Sequence, residues 1–112
     1  MSKSPNNLDL PESHKVLFLY GSSGDPELEE LMILVLRECY QLWCERHRKY
    51  GRRNISKFGE YGCLVRASDK LERLINSRHV NCADETVEDS WKDLLNYAAM
   101  ALLCRRGQWP TS

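Results

Sequence analysis

Between Asp84 and Leu103 the chain sorts its side chains by helical period. Glu85, Asp89, Asp93 and Asn96 recur at i, i+4, i+8 and i+11, which places them on one face of a helix. Val87, Trp91, Leu94, Ala98 and Leu102 fall on the opposite face, so the pattern predicts a helix that packs through this second set and presents carboxylates and an amide on the first. Asp84 suits an N-cap, and Glu85, Glu88 and Asp89 sit where the helix dipole favours negative charge. Capping does not account for Asp93 or Asn96. Both lie in or beside the apolar run that extends to Leu103, which reads as a buried helix, and buried polar groups need partners. Like charges four residues apart repel by a few tenths of a kcal/mol, roughly. The row therefore calls for a divalent cation, basic side chains from a neighbouring helix, or water.

Two further helices are legible upstream. Asp25 followed by Pro26 gives an N-cap and a proline at the first helical position, with Glu27, Glu29 and Glu30 close behind. Leu28, Leu31, Met32, Val35, Cys39 and Leu42 then keep a helical apolar spacing, and the pattern ends at Tyr50-Gly51, where glycine supplies a stop. A second helix is predicted from near Glu60 to Ser77. Leu64, Ala67, Leu71, Leu74 and Ile75 form its expected buried side, and Arg66, Asp69, Lys70, Glu72 and Arg73 the other. Asp69 has Arg66 and Arg73 within helical reach, so ion pairing within the helix accounts for it as well as a shared cation does.

The rest of the chain adds no second sheet or domain. Residues 1–14 are polar, carry Pro5 and Pro11, and read as a mobile tail before a single helical domain over 15–112. Val16-Leu17-Phe18-Leu19-Tyr20 finds no convincing partner strand and is expected to pack as an extended segment on helices. Gly21-Ser22-Ser23-Gly24 lacks the lysine and hydroxyl ending of a phosphate loop and reads as a linker. The expected fold class is all-α, three main helices in a bundle completed by oligomerisation, because so small a monomer cannot easily bury this much apolar helix surface.

Composition narrows the partners. Sixteen basic and sixteen acidic side chains among 112 residues cancel, so no global field favours a long nucleic acid or an anionic membrane. No apolar run approaches the roughly 20 residues of a membrane span, and the N-terminus leads into no signal-peptide core. A cytoplasmic protein is expected. Cys39, Cys44, Cys63, Cys82 and Cys104 form no CxxC pair and no local ligand spacing with histidine, which argues against zinc and for reduced, buried thiols.

Positive charge is instead local. Arg46, His47, Arg48, Lys49, Arg52, Arg53 and Lys57 crowd the end of the first helix and the loop after it. A cationic helix end suits the dipole. The same cluster, with Tyr50 and Phe58 available to stack on a base, would also serve as a clamp for a small polyphosphate. Asp69 or Glu72 facing the acidic row of the third helix would supply hard oxygen donors of the kind magnesium or manganese takes.

Three segments in order resemble the family called nucleotide modification associated domain 1, found in phages and bacteria. They are Lys49-Tyr50-Gly51, the run from Leu64 to Leu74 containing Arg66-Ala67-Ser68-Asp69-Lys70, and Asp84-Glu85-Thr86-Val87-Glu88-Asp89 continuing to Asp93-Leu94-Leu95-Asn96-Tyr97-Ala98. The likeness spans roughly residues 28–104. It implies a role around free or modified nucleotides in a phage or host cytoplasm. The helical pattern also looks like that of all-alpha nucleoside triphosphate pyrophosphatases, which hold magnesium with EExxE and ExxD motifs. This chain departs from both motifs: Asp69 and Glu72 stand beside three cations, and Glu85, Glu88, Asp89 and Asp93 lack the usual spacing.

The leading functional expectation is therefore metal-dependent hydrolysis of a nucleoside triphosphate between its alpha and beta phosphates. Glu85, Glu88, Asp89 and Asp93 would act as catalytic base or ligands, with Asp69, Glu85, Asp89 and Asp93 around magnesium or manganese. Lys49, Tyr50, Arg52, Arg53, Lys57, Arg66, Lys70, Arg73 and Asn96 would hold the nucleotide. Two alternatives remain open at this level. One is a non-catalytic nucleotide-binding or sensing module; the other is a phage interaction protein anchored through exposed Trp43 or Trp109.

Overall fold

A computed structural model describes residues 22–78 and 84–111, without the side chains of residues 84–86. The tail expected over 1–14 and the segment Val16–Tyr20 lie outside the described residues. Among those described there is no strand. The elements are α1 (Pro26–Tyr50), α2 (Arg53–Ser56), α3 (Gly59–Asn76) and α4 (Asp84–Arg105). None of these helices is long and apolar enough to cross a membrane.

The start of α1 is the one its sequence predicts. Asp25 Oδ1 accepts the Leu28 N–H at 3.2 Å, the side-chain cap that the residue before Pro26 is placed to give. Glu29 reaches back to the segment before the helix, and its Oε2 accepts the Ser23 N–H and hydroxyl, each at 2.6 Å. The Ser23 hydroxyl above all holds this carboxyl below its usual range. At the other end Gly51 takes φ +77° and its N–H bonds the His47 carbonyl at 2.8 Å, so the helix ends where glycine alone turns without strain. The basic loop that follows is not wholly irregular, since Arg53–Ser56 form the single turn α2.

The chain divides into two compact units, the boundary falling within α1 between Arg37 and Glu38. In the first, Ile33 is buried while Leu28, Leu31, Met32, Leu34, Val35 and Leu36 are exposed. The second holds the C-terminal part of α1 with α2, α3 and α4. Here α3 and α4 form an antiparallel pair: Glu60 near the start of α3 meets Arg105 at the end of α4, and Lys70 further along meets Asp93. The end of α1 runs parallel to α4, as Cys39 meets Asn96 and Trp43 meets Met100, one helical turn further along both helices. Ile55, Cys63, Met100 and Trp109 are buried together, with Trp43, Tyr97, Ala101 and Cys104 packed on them. At the start of α3 Gly62 allows a close approach, because a Cβ there would come within 2.7 Å of Phe58 Cβ.

The helices exist where the sequence places them, but α3 and α4 are turned differently from the expected facing. On α4 the buried residues are Ser90, Asp93, Asn96 and Met100, while Trp91, Leu95, Ala98 and Leu102 are exposed and Leu94 is half-buried. On α3 Cys63 and Leu74 are buried, and Leu64, Leu71 and Ile75 are exposed. Polar side chains occupy the inside because partners from other helices are waiting for them.

Candidate functional site

The inward facing of Asp93 follows from what it meets. Its carboxylate is 7 % exposed and accepts Lys70 Nζ at 3.1 Å and Arg46 Nη2 at 3.2 Å. A longer bond from Arg46 Nε to Oδ1, at 3.4 Å, makes the arginine contact two-pronged. The hydrogen bonds to Asp93 raise Arg46 above the usual guanidinium value, although desolvation lowers it; Asp93, Asp89 and Tyr50 add their charge to the same end. Three helices thus meet through one carboxylate. Beside it, Asn96 Nδ2 donates to the Cys39 carbonyl at 2.9 Å and ties α4 to α1.

Around this junction lies a cleft of about 400 Å³, within the size range of small-molecule sites. Helical spacing aims its lining from four directions: Trp43, Arg46, His47 and Tyr50 from α1, Asn54 and Ile55 from α2, Arg66, Lys70 and Arg73 from α3, and Asp93, Asn96, Tyr97 and Met100 from α4. Gly51, where α1 stops, completes the rim. Aromatic rings lie along part of the cleft and behind it. Trp43 and His47 stack with ring centroids 4.8 Å apart, Trp109 meets His47 edge-on at 6.1 Å, and the Trp43 indole N–H points at Met100 Sδ, 3.3 Å away.

The charge in the cleft is unbalanced. Arg46, Arg66, Lys70 and Arg73 face it against the single carboxylate of Asp93. Arg66 donates to the neutral side-chain oxygen of Asn54 at 3.1 Å, so its charge is oriented and not cancelled. Arg73 is exposed and pairs with no carboxylate among the described residues. Of these four cations two are held in place by Asp93 and one by Asn54, so the cleft carries an excess of oriented positive charge among the described residues.

Of the residues expected to hold a nucleotide, Tyr50, Arg66, Lys70, Arg73 and Asn96 do line this cleft. Lys49, Arg52, Arg53 and Lys57 do not. Lys49 lies over the Tyr50 ring at 5.7 Å and Lys57 over Phe58 at 5.9 Å, while the Arg52 carbonyl accepts the Trp109 indole N–H at 3.1 Å. Arg53 is exposed on α2. The acidic row does not converge either. Asp69, Glu72 and Glu88 are exposed, Asp89 is half-buried near Arg46, and the Glu85 side chain lies outside the described ones.

Magnesium or manganese takes several hard oxygen donors at once. The described residues hold no group of three or more histidine, cysteine or acidic side chains so arranged, and both Asp93 oxygens already accept cationic donors. The described donor set does not fit a resident cation.

Sequence reasoning missed Trp43, Asn54, Ile55, Tyr97 and Met100 as lining residues. The signal for Tyr97 and Met100 was present, since they follow Asp93 at i+4 and i+7. Trp109, expected as an exposed anchor, is buried at 8 % exposure, and Trp43 is half-buried in the aromatic wall. No protein-family model matches the chain, and comparison with curated proteins and with solved structures finds no match either.

Proposed function

We propose that this protein binds a small phosphorylated ligand with a planar ring, a nucleotide, in the cleft between α1, α3 and α4, and that binding needs no metal ion. The observation that carries this reading is the cation excess: among the described residues Arg46, Arg66, Lys70 and Arg73 line one cleft with Asp93 as its only carboxylate. A phosphate entering there replaces water around cations that are already oriented, and each charged hydrogen bond contributes about 1.5–3 kcal/mol. The aromatic wall of Trp43, His47 and Tyr97 gives a ring a surface to lie against.

The chemistry available is recognition. Asp93 is committed to Arg46 and Lys70, so it orients phosphate donors and is not free to act as a base. The test is calorimetry with inorganic pyrophosphate and with ATP at low salt, with and without a chelator. Binding of both that survives chelation, with ATP the tighter, is the expected result. No binding by either ligand would overturn the proposal, and binding only with magnesium would restore the metal-dependent reading.

A further inference from the structure

Among the described residues the face of α4 opposite the cleft is unpartnered and apolar. Trp91 is 57 % exposed, Leu95 39 % and Leu102 45 %, and exposed Ala98 lies between them in the same stripe. At i, i+4, i+7 and i+11 these four form a seam along one side of a helix, the spacing by which one helix packs on another. Buried Asp93, Asn96 and Met100 occupy the other side, so α4 has two sides that each call for company.

The charges beside this seam say what the partner is. Glu88 lies near the N-terminal end with its side chain 71 % exposed and, among the described residues, only a 4.0 Å contact to Lys92. Five turns on, along the same flank, stands exposed Arg106, whose N–H still bonds the Leu102 carbonyl at 3.1 Å and so keeps helical register. Arg106 has no ion pair among the described residues. A stripe that is acidic at one end, basic at the other and apolar between complements itself when reversed.

We propose that α4 pairs antiparallel with α4 of a second copy of this chain about a two-fold axis that crosses the seam between Leu95 and Ala98. In that arrangement Trp91 of one copy covers Leu102 of the other, and the small Ala98 receives Leu95. Glu88 and the partner copy's Arg106 then meet twice, once at each end, as an isologous interface requires. The two helix dipoles oppose each other, which favours the same orientation. The cleft stays open in the dimer, because its α4 residues are on the other side of the helix.

The full chain, examined by sedimentation equilibrium across micromolar concentrations, is expected to be a dimer. Ala98→Glu should make it monomeric with its helical circular dichroism unchanged, since the substituted position is exposed. Glu88→Arg and Arg106→Glu should each weaken the dimer by about tenfold or more, and the two together should restore it to within about threefold, the signature of pairing across the axis. A monomeric full chain would overturn the proposal, whether the stripe is covered by residues 1–21 or by water. So would a dimer that Ala98→Glu leaves intact, or charge reversals that do not rescue each other; these rest on other residues should Ala98→Glu fail to fold.

Discussion

Replacing Asp93 by asparagine keeps the shape of the side chain and removes the charge that joins three helices. Asp93 is 5 % exposed, whereas its partners differ: the Arg46 side chain is 42 % exposed and that of Lys70 is 19 % exposed. Taking one partner from a buried ion pair costs about 3–5 kcal/mol, because the remaining charge stays out of water. Arg46 can swing into solvent, so its side of the pair is worth no more than an exposed bridge, about 1 kcal/mol or less. Lys70 has less freedom and carries most of the loss. A net destabilisation of about 2–4 kcal/mol follows, enough to lower the melting temperature of a domain this size by roughly 10 °C or more.

The same change should strengthen the response to ligand. With its carboxylate gone the cleft keeps four cations and loses their counter-charge, so pyrophosphate should stabilise Asp93→Asn more than it stabilises the parent. Ligand at one hundred times its dissociation constant adds about 2.7 kcal/mol, which is comparable with the loss. Urea denaturation of the parent, Asp93→Asn and Leu94→Ala, with and without pyrophosphate at low salt, measures both effects. Leu94 is only half-buried, and truncating it should cost about 1–2 kcal/mol, below the range for a fully buried leucine. The polar-face reading of the sequence gives the opposite order. An Asp93→Asn protein within about 0.5 kcal/mol of the parent, or milder than Leu94→Ala, would refute the reasoning.

Arg73→Ala should weaken nucleoside triphosphate binding by roughly tenfold or more without lowering stability, since that guanidinium lines the cleft and holds no carboxylate. Arg53→Ala with Lys57→Ala should leave the affinity within about twofold, measured by calorimetry, because neither lines the cleft; a large loss would return the clamp to the basic loop. Trp109→Ala should destabilise by about 3–5 kcal/mol in urea, because the ring is buried beside Ile55, Cys63 and Met100 and its N–H bonds the Arg52 carbonyl. Burial above all pushes the Cys63 thiol up to about 11 from 9.0, with Cys104 adding to the shift. The neutral thiol therefore contributes stability that is whole below pH 9 and lost as pH rises through about 11. The difference in urea midpoint between the parent and Cys63→Ala should shrink across that window, and a constant difference would count against it.

Local signals carried the helix boundaries. Asp25 and Pro26 cap and start α1, Gly51 stops it, and both are matters of one or two residues whose backbone chemistry is readable in isolation. That Arg66, Lys70 and Arg73 lie together along one cleft was readable too, since they share a helical face whatever surrounds them. The facing of the helices was not readable. Apolar periodicity ranks Trp91 and Leu102 above Asp93 for burial, and it would be right for an isolated helix on a simple core. What reverses the order is Lys70, twenty-three positions before Asp93, and Arg46, forty-seven before it. Nothing in the spacing of α4 reports that these two side chains arrive at the same carboxylate.

The buried carboxylate and the exposed tryptophan are two consequences of one surplus. An α4 that carries apolar side chains on more than one face of its C-terminal half can satisfy a small core with only part of its circumference. The side chosen for the core is the one whose polar groups find fixed partners, because an unpaired buried carboxylate costs more than an exposed leucine. That choice leaves Trp91, Leu95 and Leu102 exposed, where the proposed dimer sets the second copy's α4 against them. The two proposals therefore share a cause but not a fate. Loss of the dimer by Ala98→Glu leaves Arg46, Lys70 and Asp93 in place and ligand binding intact, whereas Arg73→Ala abolishes a phosphate contact and leaves the seam untouched. If one variant moved both readouts together, the cleft and the seam would be a single site, and the division of α4 into two independent faces would fail.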